Sequence, residues 1–287
     1  MPAVLAPSTV ATLGRLRLAG RRRVEGRFTG GHASRRYGSS MDFADYREYV
    51  PGDDPRRVDV HAHARLGKRL VKLYEAEDEA ALRLVVDLSA SMGFGRKAQA
   101  AREVAAALAL VATSGGDRVR VLRCGPAVDA GPWFRGAHAL PAIDDRLTGG
   151  DTAGVADVTT AVRRAIGEGP RGPVVLVSDL LFDGWEAAVD ALGLGRADTC
   201  LVHLLGRDDL APELDGDLRL VDAETGHEVE VGLAAGALAA YAERVRDWCA
   251  EVAAACGRRG VAYARHVDDQ PVEGLLLRTL TAAGIVA

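Results

Sequence analysis

The sequence predicts an α/β protein whose mostly parallel sheet is covered by helices on both faces. Short apolar segments rich in β-branched residues alternate along the chain with Ala-rich segments that have helical spacing. Two of these segments, 84–86 and 173–177, are apolar throughout, which is typical of strands buried on both faces. The repeated order of strand and helix requires crossover connections, which are right-handed in such sheets. With 287 residues, 48% of them hydrophobic, the chain is long enough to form a sizeable core.

Residues 1–40 are interpreted as an Arg-rich N-terminal arm. A short helix is predicted over 8–23 and a glycine-broken loop over 26–40. The arm carries eight Arg and one acid, Glu25, so the rest of the chain has a net charge of −11. Nucleic-acid binding through this arm is one alternative, but no aromatic residues separate the arginines. The arm is therefore expected to lie against the acidic body or to remain solvated.

Residues 41–80 form a second segment, dense in charges of both signs. A turn is predicted at Pro51-Gly52, and Arg47, Arg56 and Arg57 are expected to pair with nearby carboxylates in an ion-pair network. Residues 70–74 alternate in polarity and predict a strand. We expect that strand to pair antiparallel with the one that begins at Leu82.

Residues 81–287 carry the regular alternation of elements and are interpreted as one domain with C-terminal helices. Strands are predicted over 82–86, 119–122, 128–134, 173–177, 199–205 and 261–266, with a hairpin over 215–231. Helices are predicted over 96–114, 137–147, 155–166, 185–192, 236–256 and 271–283.

Oxygen-bearing side chains stand where three elements of this domain end. The segment 84–86 is followed by Asp87-Leu88-Ser89-Ala90-Ser91, a glycine-hinged loop carries Thr152, and Asp179 follows the segment 173–177. Ligands of open α/β sheets bind at the carboxyl ends of the strands, so these side chains are expected to converge. Two carboxylates and three hydroxyls suit a hard cation, Mg²⁺ first and Mn²⁺ or Ca²⁺ as alternatives. Asp151 is an alternative to Thr152, and helix capping by Ser89 or Ser91 is an alternative to ligation.

Such a site is expected to bind protein rather than to catalyse a reaction. Two carboxylates neutralise the ion, which leaves a position for an Asp or Glu from a partner. The enzyme alternative is a Mg²⁺-dependent phosphohydrolase with Asp87 as nucleophile, but the second acid expected two residues later is Ser89. A dinucleotide motif, 93–98, begins six residues after the strand end and is a weak match.

The compartment is expected to be the cytoplasm. No apolar segment approaches the 18 to 20 residues of a membrane span, and the first arginines follow the apolar residues, the reverse of a signal peptide. The four cysteines form no C-x-x-C pair and are interpreted as buried, reduced packing groups.

The motifs resemble two known groups of proteins. Asp87-Leu88-Ser89-Ala90-Ser91, Thr152 and Asp179 resemble the metal-ion-dependent adhesion site (MIDAS) of a von Willebrand factor A domain. Arg47-Glu48-Tyr49, Pro51-Gly52-Asp53 and 57–59, followed by that site and by 222–226, resemble the bacterial family called domain of unknown function 58. The resemblance implies a von Willebrand A-like, Rossmann-type α/β fold with an N-terminal segment packed on it. It also implies a chaperone-like partnership with a MoxR-type AAA+ ATPase. Val60 departs from the family pattern, which usually has Trp there.

Overall fold

The structure is a computed structural model that describes residues 4–19, 43–53, 58–74, 80–169, 172–195, 198–214, 216–224, 226–232 and 236–287. The chain divides into two compact units. The larger unit comprises Met1–Gly20 with Ala80–Ala287, and the smaller unit is Arg21–Glu79. The first residues of the chain thus belong with the large domain, whereas the sequence-based division assigned 1–40 to a separate arm.

The elements are numbered in chain order. The strands are β1 (Phe43–Glu48), β2 (Leu70–Tyr74), β3 (Ala81–Asp87), β4 (Arg118–Cys124), β5 (Val128–Arg135), β6 (Val174–Ser178), β7 (Thr199–Leu205), β8 (Asp217–Val221), β9 (Glu228–Gly232) and β10 (Ala262–Val267). The helices are α1 (Pro7–Leu13), α2 (Val60–Leu66), α3 (Lys97–Ser114), α4 (Leu140–Thr148), α5 (Val158–Gly167), α6 (Glu186–Gly193), α7 (Arg207–Leu210), α8 (Ala237–Arg258) and α9 (Val272–Gly274). Two 3₁₀ turns, Ala90–Gly93 and Ala137–Ala139, precede α3 and α4, and a π-helical segment, Leu275–Leu280, continues α9. The elements predicted for 81–287 are present with ends shifted by a few residues.

The larger unit is built on a six-stranded sheet in the order β10-β7-β6-β3-β4-β5. Every neighbouring pair is parallel except β4 and β5, which form an antiparallel pair. The predicted mixed α/β fold with a mostly parallel sheet is therefore confirmed. After β3 the chain adds β4 on one side and then crosses to add β6 on the other. This reversal of direction lies between β3 and β6, where open α/β sheets form their ligand sites.

Both faces of the sheet are buried. On one face Leu84 and Val86 pack with α3, α4 and the C-terminal segment, and on the other Val85 and Leu176 pack with α5, α6 and α8. Side chains alternate between the faces of a strand, so β3, buried at all seven positions, contributes to both layers. The four cysteines are buried and free, as predicted.

The N-terminal residues 4–19 are integral to the larger unit. Leu13, the last residue of α1, is fully buried in the core beside α3. Leu18 forms a bridge with Val286, and Arg17 exchanges two backbone hydrogen bonds with Ala287, at 2.9 and 2.8 Å. The predicted helix over 8–23 is thus shorter, and the predicted loop 26–40 lies outside the described residues.

The smaller unit contains an antiparallel pair, β1 and β2, and helix α2. Our expectation that β2 pairs with β3 is wrong: β2 pairs with β1, and both edges of β3 are occupied by parallel strands. Asp59 caps α2 by accepting hydrogen bonds from the N–H groups of His61 and Ala62.

Part of the predicted ion-pair network in this unit is present. Arg47 binds both carboxylate oxygens of Asp53 at 2.7 Å. This guanidinium lowers the pKa of Asp53 to about 2. Arg56 and Arg57, the other predicted members, lie outside the described residues.

Candidate functional site

The centre of the candidate site is a pair of buried carboxylates at adjacent strand ends. Asp87 is the last residue of β3, and Asp179 follows the last residue of β6. Because these strands are parallel and in register, Ser178 lies beside Asp87 and donates a hydrogen bond of 2.5 Å to its Oδ2. Both carboxylates have no solvent exposure.

The loop after β3 connects the two carboxylates through hydroxyl groups. The Ser89 N–H donates to Asp87 Oδ1 at 2.9 Å, and the Ser89 and Ser91 hydroxyl oxygens are 3.0 Å apart. The Ser91 hydroxyl then donates to Asp179 Oδ1 at 3.3 Å. Although Ser89 precedes the 3₁₀ turn, its side chain makes no capping hydrogen bond. The structure therefore brings four of the five predicted ligands into one hydrogen-bonded group.

Thr152, the fifth predicted ligand, lies on a loop hydrogen-bonded to the Asp87 loop. Ala153 N–H donates to the Leu88 carbonyl at 3.1 Å, and Ala90 N–H donates to the Gly154 carbonyl at 2.9 Å. The Thr152 hydroxyl faces Gly93, where an added Cβ would lie 2.6 Å from it. Thr152 is half-buried, whereas Asp151 is exposed. The choice between them as ligand stays a prediction.

Lys97, at the start of α3, is a member of the site that sequence reasoning missed. Its side chain is 1% exposed, and its Nζ lies 2.8 Å from Asp179 Oδ2 and 3.0 Å from Asp209 Oδ2. Burial lowers the pKa of Lys97, but the two carboxylates outweigh burial, so the net direction is upward and the ammonium stays charged. Asp179 is thus shared between this ammonium and the Ser91 hydroxyl.

A buried histidine positions the backbone of Asp179. His203 Nε2 lies 3.1 Å from the Asp179 carbonyl oxygen, and its Nδ1 lies 3.0 Å from the Tyr263 hydroxyl. Burial lowers the pKa of His203 to about 4, so the ring is neutral. The contact with the Asp179 carbonyl requires that Nε2 carries the proton.

The backbone that follows Asp179 is strained. Leu180 adopts a positive φ of 54°, and its N–H donates to Ser178 Oγ at 3.0 Å. Such backbone strain is common at ligand sites.

The electrostatics of the group are suited to a hard cation. Burial, and after it the charge of Asp179, raise the pKa of Asp87 to about 6 despite its hydrogen bonds from Ser178 and Ser89. Asp179 and Asp209 share one ammonium, that of Lys97, whereas Asp87 accepts its hydrogen bonds from Ser178 and Ser89. All of the converging donors are oxygens, which bind Mg²⁺ better than soft metals.

The described residues contain no group of three or more His, Cys, Asp or Glu side chains that could hold a metal ion. An ion at this site would therefore rely on the serine hydroxyls beside Asp87 and Asp179.

No helix within the described part of the chain has the length and apolar character needed to cross a membrane.

The fold and the site together define an α/β domain with an oxygen-rich group at the carboxyl edge of its sheet. The chain belongs to the family described as "Protein of unknown function DUF58", whose model matches residues 45–250. The predicted resemblance to this family is confirmed. Uncharacterized proteins of Mycobacterium tuberculosis strain H37Rv and of Mycobacterium bovis are 31% identical over 232 residues, which cover 77% of this chain and 72% of each relative.

Several solved structures resemble the chain at low sequence identity. The conserved hypothetical protein BatB from Bacteroides thetaiotaomicron is 13% identical, with a TM-score of 0.42, over 71% of this chain and 98% of that one. An aerotolerance-related membrane protein from Bacteroides fragilis is 15% identical, with a TM-score of 0.40 and the same coverage. The pilus adhesin SpaC from Lactobacillus rhamnosus GG is 11% identical, with a TM-score of 0.45, over 72% of this chain and 30% of the adhesin.

Proposed function

We propose that this protein is a non-catalytic, Mg²⁺-dependent protein-interaction module with a site of the von Willebrand factor A type. The observation that carries the proposal is the hydrogen-bonded group of Asp87, Ser89, Ser91 and Asp179 at the carboxyl edge of the sheet. These residues and Thr152 would hold the ion. When bound, the ion supplies a positive centre that attracts a carboxylate from another protein.

The partner class follows from the resemblance to MoxR-associated proteins. We propose that the module is an adaptor for a MoxR-type AAA+ ATPase in the assembly or maturation of protein complexes. The acid that reaches the site would be an Asp or Glu on that ATPase or on its client. Two exposed apolar residues, Phe94 and Leu181, come from the loops that carry the site and offer contact area for such a partner.

The residue two positions after Asp87 favours binding over phosphohydrolysis. A phosphohydrolase with Asp87 as nucleophile would need an acid there to act on the leaving group, and the chain has Ser89 instead. Ser89 belongs to the hydrogen-bonded group that is proposed to hold the ion. The nucleic-acid alternative rests on the Arg-rich residues beyond 19, which lie outside the described residues.

The test combines ion binding with partner capture. Calorimetry with Mg²⁺ should show binding to the native protein and none to Asp87→Ala. Capture from the native host should recover one ATPase with the native protein. Recovery should fall with EDTA and with Ser89→Ala/Ser91→Ala, which removes two hydroxyl donors while leaving the strand and α3 in place.

Ser8→Ala, on the exposed face of α1, is the matched control and should behave as the native protein. Equal capture by all of these samples would contradict a metal-dependent interaction. Turnover of phosphoesters that disappears in Asp87→Ala would favour the hydrolase instead.

A further inference from the structure

The N-terminal half of α8 carries apolar side chains that the larger unit leaves exposed. Apolar or aromatic residues recur along this helix at alternating spacings of three and four, at Leu238, Tyr241, Val245, Trp248, Val252 and Ala255. In the C-terminal half the last two of these are buried in the core. In the N-terminal half Leu238 is 39% and Tyr241 42% exposed, and the next two are half-buried. The apolar stripe therefore continues for about three helical turns beyond the part that the core covers.

Part of this stripe lines a cleft of about 500 Å³ at the carboxyl edge of the sheet. Tyr241, Val245 and Trp248 line it from α8. Leu205, the last residue of β7, and Leu181, on the loop after β6, line it as well, and Leu181 is exposed. We call these five residues the α8 cleft. Its volume lies in the range of protein ligand sites, and its apolar walls are suited to apolar side chains.

The charges along the α8 cleft are mainly negative. Asp209, Asp247 and Glu251 lie along it together with Arg244. The carboxylate of Asp209 is already paired with Lys97, which leaves the exposed acids Asp247 and Glu251 against Arg244. The excess of acid favours a partner that carries Lys or Arg beside its apolar residues.

The neighbouring elements favour a helix over an extended strand as the occupant. Strand β7, which contributes Leu205, is paired on both edges, with β6 and with β10, so no strand can be added there. The backbone groups of α8 are hydrogen-bonded within the helix and offer no ladder to a strand. The alternating spacing of three and four along α8 is the pattern with which helices pack against each other.

We propose that the α8 cleft docks a cationic amphipathic helix of a partner protein. The apolar side chains of that helix pack against the exposed stripe, and its Lys or Arg side chains face Asp247 and Glu251. This contact uses neither the ion nor its ligands and therefore goes beyond the function proposed above. It gives the protein a second docking surface at the carboxyl edge of the sheet.

The proposal is tested with a synthetic peptide of four helical turns that has leucines at heptad spacing and lysines on its other face. Binding of the labelled peptide is measured by fluorescence anisotropy in EDTA, so that an ion makes no contribution. The peptide should bind the native protein. A scrambled peptide of the same composition, and one with Glu in place of every Lys, should bind about tenfold more weakly. Val245→Glu, which places a charge in the cleft, should weaken binding of the first peptide by a similar factor.

Glu251→Gln and Glu243→Gln form a matched pair, because both residues are exposed on α8 but Glu251, not Glu243, lies along the cleft. Glu251→Gln should weaken binding about threefold, and Glu243→Gln should keep the native affinity. Equal binding of the ordered and scrambled peptides, or native affinity in Val245→Glu or Glu251→Gln, overturns the proposal.

Sedimentation distinguishes a partner helix from a second copy of this chain. If the native protein sediments as a dimer that Val245→Glu converts to a monomer, a second copy covers the stripe and the proposal is overturned. The ion site is tested separately: failure of the native protein to bind Mg²⁺ in calorimetry would overturn the proposed function and leave peptide docking in EDTA standing.

Discussion

The substitution Lys97→Met tests whether the buried ammonium holds the acidic site together. Met replaces the aliphatic stem of Lys with a similar volume, so the change removes the charge and leaves little cavity. Lys97 is 1% exposed and contacts two carboxylates, Asp179 at 2.8 Å and Asp209 at 3.0 Å. The variant leaves both acids without this ammonium.

The expected cost is large for a single substitution. Removing one partner of a buried ion pair typically costs about 3–5 kcal/mol, because the remaining charge stays buried without compensation. For domains of 150–250 residues, about 1 kcal/mol lowers Tm by about 2–4 °C. Lys97→Met should therefore lower Tm by roughly 6–20 °C in the absence of divalent ions. The same substitution at Lys68, whose pair with Glu48 is exposed, should change stability by no more than about 0.5 kcal/mol.

The role of the ion gives the experiment a second readout. The native protein should gain about 1.4 kcal/mol when Mg²⁺ is present at about ten times its dissociation constant. The Lys97 variant should bind Mg²⁺ more tightly, because its site carries one more uncompensated negative charge, and should therefore gain more at the same concentration. Urea unfolding with and without Mg²⁺ measures both effects. The reasoning is refuted if Lys97→Met unfolds within about 1 kcal/mol of the native protein, or if Mg²⁺ stabilises the two proteins equally.

Three further predictions concern buried or closely packed residues. In metal-free protein, the free energy of unfolding should fall by about 3 kcal/mol as pH rises from about 4 to about 6. The reason is that burial raises the pKa of Asp87 to about 6 in the folded protein, against 3.8 in the unfolded chain. Urea unfolding of Asp87→Asn should show no such dependence on pH. Leu13→Ala should cost about 2–5 kcal/mol because Leu13 is fully buried, whereas Val10→Ala, at an exposed position of the same helix, should cost under about 1 kcal/mol in the same assay. Gly172→Ala should cost about 1–3 kcal/mol in thermal unfolding, since its Cβ would lie 2.5 Å from the Ala81 backbone nitrogen; a native-like Tm would contradict this close approach.

The fold of residues 81–287 could be predicted because its signals are local. The segments 84–86 and 173–177 are apolar on both faces and too short for helices, and the Ala-rich segment 97–114 has helical spacing over five turns. The pairing partner of β2 could not be predicted from the sequence. The alternating residues of β2 are compatible with any antiparallel neighbour, and the nearest strand in sequence, β3, has both edges occupied within the parallel sheet.

The placement of residues 4–19 also depends on distant contacts. Arginine dominates the composition of residues 1–40, which suggested an exposed arm. Burial of the leucines outweighs that charge. Leu5, Leu13 and Leu18 are buried, and removing each side chain from water stabilises the fold by about 1.5–3 kcal/mol. Their partners, such as Val286, stand at the opposite end of the chain, where no local pattern reveals them.

The candidate site divides along the same line between local and distant signals. Asp87, Ser89 and Ser91 follow one strand directly, so their convergence with Asp179 followed from the rule that parallel strands end at one edge. Lys97 and His203 came instead from elements whose pattern indicates packing. For His203 a signal was nevertheless present in the sequence, because it is a polar residue within the apolar segment 200–205, and buried polar groups require partners. Lys97 gave no such signal, because Arg96, Gln99 and Arg102 are its neighbours in the sequence and its burial follows only from the fold, which places its ammonium beside Asp179. An imidazole inside an apolar strand is therefore best assigned to the nearest strand-end site before it is interpreted as packing.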